Sequence, residues 1–579
     1  MTGSNSGTKP PHIRELTTRS IVCGLVVAAI LGASYPYVVL KLGFGPNVSV
    51  VAAFFGFLAL GFVFKDYNRW ENNMVQTAGT AGAQTAFMCI LLAAFDILRA
   101  SKTVQFDLTL SPLQSFAWLT TAGLLGVLLA VPLRQHFIVD EKLPYPDGMA
   151  AGETLIVLDG GSGEGRRAAL ALASGAVASA GLMLVRDEGH VLKWIPDGIA
   201  LGTAAMKKVG LGLSWGLLPL GTGMIVGLRI CWSMLIGMTL SWVIAPHVLP
   251  PYGFIAPEFT KKDVLLWVMW PATGMLVAGG LASVFLRWRL LVKTFRNLAT
   301  ARTDGSDFPL SWVVIGVLIT GTALVVVQKV SLGLEVWVTV TAILLSLPLM
   351  LVGLRVLGET NWGPISTLSN MMQGIFGFLA PGHVAANMAA SGTTGTIATE
   401  SEALIQDFKA GDMIGSTPRY LTFMQLLGTP VGAAAVAWMY PRLRDTYGVV
   451  GEGATLPSPT SIRWAGFAEI LSGGIKAMPP GALWALCIGA ALGIVLTLLE
   501  TRWKTWVPSP SGIGIAMLVP ASVVAVMFLG GLAEWLWRKS HAASHQRFMI
   551  PLASGLIAGE AIMAVVITLF LVSKNILKV

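Results

Sequence analysis

The chain has 579 residues, of which 54% are apolar or aromatic, 65 more are glycine and only 12% carry a charge. That charged share is about half of what a soluble domain uses, so a soluble globular body is excluded and a membrane protein is expected. The net charge of +9 belongs with cytoplasmic loops and not with nucleic acid. Cys23, Cys89, Cys231 and Cys487 each lie inside an apolar run with no C-x-x-C pair, which excludes a disulfide framework and a structural zinc site.

Lys9, Arg14 and Arg19 flank the start of the first apolar run without the short apolar core and cleavage site of a signal peptide. Residues 1–19 therefore read as a cytoplasmic tail before a retained helix. Runs near the length that crosses hydrocarbon as a helix, about 20 residues, follow in order. They are Ser20 to Leu40, Val48 to Phe64, Thr77 to Leu98, Leu113 to Val131, Ala168 to Val185, Trp215 to Ala245 and Val264 to Phe285. Further along come Ser311 to Val327, Val336 to Leu354, Val384 to Ile405, Tyr420 to Tyr440, Ala482 to Leu499, Gly512 to Trp535 and Phe548 to Val572. Pro196 to Trp215 and Trp362 to Leu379 are rich in Gly, Pro and Ser and read as broken or re-entrant helices.

The basic cluster Arg287, Arg289, Lys293, Arg296 and Arg302 makes residues 291–310 a cytoplasmic linker. It separates a first membrane half, 20–290, from a second, 311–579. The polar connections are too short to bury a core of their own. The expected fold is an all-α polytopic membrane protein of about 16 spans, some of them broken.

The halves look duplicated. Pro219-Leu220-x-x-Gly223-x-Ile225-x-Gly227-x-x-Ile230 recurs as Pro551-Leu552-x-x-Gly555-x-Ile557-x-Gly559-x-x-Ile562. Lys41, Gly45, Glu71 and Asn73 are echoed by Lys329, Gly333, Glu359 and Asn361, and Glu153-Thr-Leu-Ile by Glu402-Ala-Leu-Ile. Internal repeats favour a carrier, because one half can move against the other around a site at their interface. The glycine pairs Gly223/Gly227 and Gly555/Gly559 read as close helix-packing faces.

A charge in the bilayer is costly and marks a cavity or a partner, so the candidates for proton coupling or an ion pair are Glu71, Glu153, Arg229, Glu359, Glu402 and Glu560. Glu71 with Asn72, Asn73 and Gln76 reads as a helix start, which either caps the helix or binds an anionic group. Glu359 and Asn361 repeat that arrangement in the second half. Arg229 is aligned by the repeat with the residue beside Glu560, which makes an ion pair between Arg229 and Glu560 one hypothesis to test. Asn387, Ser391, Thr393, Thr394, Thr396 and Thr399 form a polar run ending in Glu400 and Glu402. With Asn72, Asn73, Gln76, Asn361 and Gln373, the residues Asn387, Ser391 and Thr394 are candidate substrate contacts, although helix packing explains hydroxyls equally well. Asp407, Lys409 and Asp412 read as juxtamembrane. No metal-ligand spacing, Walker A motif or nucleophile motif occurs, so no cofactor or metal is expected and neither is an enzyme.

Glu71 to Thr77 (ENNMVQT), Leu143 to Gly148 (LPYPDG), Gln406 to Pro418 (QDFKAGDMIGSTP), Ser458 to Trp464 (SPTSIRW), Ser509 to Ile515 (SPSGIGI) and Ser554 to Glu560 (SGLIAGE) closely resemble signatures of the oligopeptide transporter family. The likeness runs in order along nearly the whole chain. It lacks the NPG and KIPPR motifs of the yeast and plant peptide-transporting branch and is closer to the prokaryotic and yellow-stripe-like branches. The resemblance implies a secondary carrier for short peptides, glutathione-like thiols or metal chelates, usually driven by protons, with a channel as the first alternative. It also implies a bacterial inner membrane with a cytoplasmic N-terminus; exposed apolar faces fit a homodimer in the bilayer.

Overall fold

The computed structural model describes residues 14–42, 48–64, 68–101, 104, 106–159, 163–186, 192, 194–286, 307–450, 456, 458–472, 479–503 and 506–576. The basic cluster Arg287, Arg289, Lys293, Arg296 and Arg302, most of the expected linker and most of the N-terminal tail lie outside them.

The described residues are almost entirely helical. In the first part of the chain run α1 (Thr18–Leu42), α2 (Val48–Phe57), α3 (Arg69–Phe87), α4 (Cys89–Ala100), α5 (Pro112–Ala130), α6 (Pro146–Leu158) and α7 (Gly163–Val185). Then come α8 (Ala204–Lys208), α9 (Leu217–Val226), α10 (Leu228–Met238), α11 (Ala245–Val248) and α12 (Lys261–Leu286). The second part holds α13 (Leu310–Leu332), α14 (Val336–Thr360), α15 (Ile365–Leu379), α16 (Val384–Ile414), α17 (Pro418–Tyr447) and α18 (Pro459–Ser472). It ends with α19 (Ala482–Arg502), α20 (Pro510–Ala516), α21 (Ala521–Ser540) and α22 (Ala542–Ile576). Ten of the described helical stretches are long and apolar enough to cross a membrane, with shorter apolar helices at Val48–Gly61, Leu170–Val185 and Leu217–Val226.

Local signals explain the boundaries. Ser111 and Gln114 form a reciprocal cap ahead of Pro112, satisfying amides that a helix start leaves open. Gly333 and Gly415 close α13 and α16 in the left-handed region, which glycine reaches without strain. Several spans are broken. The expected span Trp215 to Ala245 divides at Gly227, whose φ is 86°; Gly512 to Trp535 divides between Ala516 and Ala521; and α14 and α15 are separated by Asn361–Pro364.

Two expectations are corrected. Pro196 to Trp215 is no re-entrant helix but carries a small hairpin, Gly198–Ala200 paired antiparallel with Gly212–Ser214, with α8 between. Glycines punctuate this stretch; Gly202 and Gly210 have positive φ, which suits turns and opposes a continuous helix. Gly227 is a helix break and packs nothing, whereas Gly559 lies inside the unbroken α22 with its Cα against the Ala176 carbonyl. The two copies of the repeat thus have different backbones at that glycine.

Packing forms two groups of helices. In one, α16 touches α3, α5, α6, α14 and α15, while α17 lies across α1, α3 and α5. In the other, α7 packs on α22, α9 on α21 and α12 on α19. Small residues set the distances: a Cβ on Gly432 would lie 2.4 Å from the Gly82 carbonyl oxygen, and one on Gly126 would lie 2.5 Å from that of Ile397. Such crossings bring backbones close where lipid offers no hydrophobic drive for association.

Candidate functional site

The site is organised by α16. Alanine, glycine and threonine dominate its first half, and its hydroxyls fold back onto the helix: Thr394 onto the Ala390 carbonyl at 3.0 Å, Thr396 onto Gly392 at 2.8 Å and Thr399 onto Gly395 at 2.7 Å. Back-bonding satisfies these hydroxyls where water is absent. Of the 31 residues of α16 nearly all are buried, including Asn387, Ser391, Thr394, Glu400, Glu402 and Asp407.

Four polar groups follow one another along it. Near its start, Asn387 donates to the Gln373 carbonyl at 2.7 Å, and Gln373 donates to the Trp464 carbonyl at 3.3 Å. Here Gln373 Oε1, Asn387 Oδ1, Ser391 Oγ, Ser369 Oγ and Trp464 Nε1 are buried with no hydrogen-bond partner among the described residues. Such orphaned groups carry a penalty of about 1–3 kcal/mol each, which a ligand with amide or carboxyl groups would remove. Next, Thr393 is held by Gln328 at 2.7 Å and Thr394 by Ser346 at 2.9 Å. About two turns further, Glu400 accepts from Thr85 at 2.6 Å, Thr429 at 3.1 Å and Gln425 at 3.2 Å. Finally, Asp407 accepts from Gln76 and from Ser49 at 3.3 Å, while Asn73 donates to Gln76 at 2.6 Å.

Asp407 is therefore buried at 0% exposure and takes neutral donors in place of a local ion pair. Charge density at the helix end suggested a surface, but α2 and α3 cover it. Asn72 donates to the Ala53 carbonyl, a contact between neighbouring helices. Glu71 stands in the first turn of α3, whose cap is Asn68. Its carboxylate accepts from Arg19, from Asn68 at 2.8 Å and from Thr17 at 2.5 Å.

The proposed echo at Glu359 is overturned. Glu359 and Asn361 sit at the C-terminal end of α14, with Asn361 at φ 63°, because Gly363 and Pro364 follow and a helix does not continue into proline. Asn361 binds Asp147 through its amide at 2.6 Å and accepts the Asp147 N–H at 3.0 Å. Arg355, one turn earlier, bridges Glu359 at 2.8 Å and Glu141 at 2.6 Å. Sequence reading passed over Arg355, although a charge at the end of an apolar run was there to be weighed.

Arg229 does not meet Glu560. Arg229 pairs with Glu500 at 2.6 Å, whereas Glu560 pairs with Arg186 at 2.8 Å and accepts the N–H groups of Leu217 and Leu218. The reason is the break at Gly227, which separates Arg229 from the helix that packs on α22. A cavity of about 820 Å³ opens at that break, lined by Arg229, Trp232, Trp506, Phe528 and Glu534. Glu153 lies partly buried on α6 and makes no hydrogen bond or ion pair among the described residues.

Residues 15–571 match the family model described as OPT oligopeptide transporter protein. The chain belongs to the oligopeptide transporter family. Over 97% of its length it is 23% identical to a putative oligopeptide transporter of Saccharomyces cerevisiae, 97% of which is covered. A putative oligopeptide transporter of Haemophilus influenzae is 25% identical over 93% of both chains. A probable metal-nicotianamine transporter of Oryza sativa is 24% identical over 96% of this chain and 85% of its own. This member of the family is an integral membrane transporter, and its relatives include both oligopeptide and yellow-stripe-like metal-nicotianamine proteins.

The oligopeptide transporter signatures now have physical roles. Leu143 to Gly148 docks on the end of α14: the Tyr145 N–H donates to the Gly358 carbonyl, its hydroxyl to that of Leu354, and Asp147 holds Asn361. Glu71 to Thr77 supplies the Gln76 that meets Asp407. Ser509 caps α20 and donates to Glu359 at 3.1 Å, so two signatures distant in sequence converge on one helix end.

Proposed function

We propose that this transporter is a secondary carrier of short oligopeptides or related peptide-like or metal-chelate compounds, driven by protons and alternating access between repeat halves 20–290 and 311–579. The observation that carries the substrate class is the cluster of buried, unpartnered amide and hydroxyl groups at Gln373, Asn387 and Ser391. Peptides and amino-carboxylate chelates present complementary donors and acceptors. The names of the relatives, oligopeptide on one side and metal-nicotianamine on the other, fit the same chemistry. The buried acids of α16 support a coupling role, because a carboxylate in a low-dielectric site can exchange a cation as access changes. A cytoplasmic N-terminus, residence in a bacterial inner membrane and a homodimeric assembly complete the reading.

Purified protein in liposomes tests it with short peptides, glutathione and iron or nickel chelates, each with and without an inward proton gradient. Saturable accumulation above equilibrium that collapses with the gradient is expected for one of these classes. Accumulation indifferent to the gradient overturns proton coupling, and non-saturating currents replace the carrier by a channel.

A further inference from the structure

We propose that Glu402 and the C-terminal end of α14 form a binding site for a monovalent coupling cation, H⁺ or Na⁺. The proposal rests on the carrier reading above and assigns its coupling site. Glu402 is 7% exposed, makes no hydrogen bond or ion pair among the described residues, and has a fully buried Oε1 without a partner. A charged carboxylate left so in a membrane interior is costly unless a cation or a proton joins it.

Its surroundings are made for that partner. The carboxylate lies against the break between α14 and α15. A Cβ on Gly363 would fall 1.9 Å from Glu402 Oε2, and one on Gly353, two turns up α14, would fall 3.3 Å from Oε1. Two residues on either side of the break would thus collide with or crowd the acid if they were larger than glycine. The break follows the negative end of the α14 dipole, worth about half a charge. Of the last four carbonyls there, Leu357 is taken by the Asn361 N–H and Gly358 by that of Tyr145. Those of Glu359 and Thr360 receive no main-chain donor among the described residues. Unwound backbone and a helix C-terminus beside a buried acid are the surroundings in which carriers bind small cations.

Charge accounting points the same way. The titratable and charged groups on the elements around it are Glu359 and Arg355 on α14, His136, Glu141 and Tyr145 on the segment before α6, Asp147 and Glu153 on α6, and Glu400, Asp407, Lys409 and Asp412 on α16 itself. Arg355 is already shared by Glu359 and Glu141, and Asp147 is held by Asn361. Among the described residues no cation pairs with Glu402; Lys409, about two turns further along α16, forms no ion pair with it. Glu71 is held by Arg19, Glu560 by Arg186, Glu500 by Arg229, and Glu400 by three neutral donors, while Glu153, also without a partner among the described residues, is only partly buried. Asp407 also keeps one orphaned oxygen, but it has Gln76 and Ser49 on the other and lies among unbroken helices.

The test needs no transport substrate. Full-length protein in detergent is melted at acidic and neutral pH, in choline chloride and with NaCl titrated in, as wild type, Glu402→Gln, Gly363→Ala and the control Glu258→Gln at an exposed loop acid. Wild type and Glu258→Gln should gain thermal stability saturably, with NaCl at fixed pH if the ion is Na⁺ or with acid alone if it is H⁺. Glu402→Gln, which mimics the neutral acid, should lose that response while remaining monodisperse. Gly363→Ala should weaken it several-fold even if the Gln variant fails to fold. A folded Glu402→Gln or Gly363→Ala protein with the wild-type response overturns the site, as does a wild type indifferent to both ions. A retained response in protein that accumulates nothing in liposomes overturns the carrier reading and leaves the site standing.

Discussion

α13 and α16 are both long enough to cross a bilayer, and they are built in opposite ways. α13 is the ideal apolar span by composition, yet only 11% of its apolar window is buried in protein; Leu318, Ile319 and Val330 are each more than 60% exposed. α16 carries two glutamates, two aspartates and a run of hydroxyls, is almost wholly buried, and is not among the helices that qualify as spans on hydropathy. In lipid the outward surface is apolar by necessity, so polarity is concentrated where other helices cover it. Hydropathy singles out α13, which faces outward, and polar content singles out α16, which other helices cover.

The sharpest way to break this contrast is to remove a charge from the covered interior. Arg355 is 9% exposed and faces Glu141 and Glu359, at 2% and 11%. Arg355→Met leaves two carboxylates without their cation and should cost about 3–5 kcal/mol, as for other broken buried pairs. Thermal melting in detergent should show a collapse that the added changes Glu141→Gln and Glu359→Gln partly reverse. An unchanged melting temperature would mean that water reaches this network freely.

Next in size is a steric change at a helix crossing. In Gly432→Val, the Cβ would start 2.4 Å from the Gly82 carbonyl oxygen, where the obstacle is backbone and cannot rotate away. The loss should be about 1–3 kcal/mol, the usual range for overpacking. Gly181, with nothing within 4 Å of a Cβ, is the matched control, and Gly181→Val should melt like wild type. Equal losses at both positions would show that glycine content, and not close approach, sets the stability.

Much of this architecture was legible in advance for a physical reason. Spanning a bilayer forces every backbone polar group into a helix, so apolar run length gives the all-α class almost directly. The break at Asn361–Pro364 falls where the expected runs Val336 to Leu354 and Trp362 to Leu379 meet, although Glu359 and Asn361 read as a helix start in sequence. Partnership was not legible. Glu71 and Glu359 have similar neighbours in sequence, but one begins a helix and the other ends one, a difference set by Asn68 before the first and Pro364 after the second. Arg229 and Glu560 were aligned by a repeat whose two copies diverge at Gly227. Asp407 and Gln76, 331 positions apart, meet only because α3 and α16 pack, which no local pattern encodes.

The smallest expected effect lies on α13 and follows from what replaces a lost side chain. In a covered core, truncating leucine leaves a cavity, and the lost packing adds to the lost transfer energy. At Leu318, 65% exposed, the neighbour is an acyl chain, which is as apolar as leucine and free to move in. No cavity persists, and Leu318→Ala should change the melting temperature by the equivalent of less than about 0.5 kcal/mol, the range of ordinary surface changes. A loss as large as that of Gly432→Val would place Leu318 against another protein surface. It would make α13 the face on which a second copy of the chain docks.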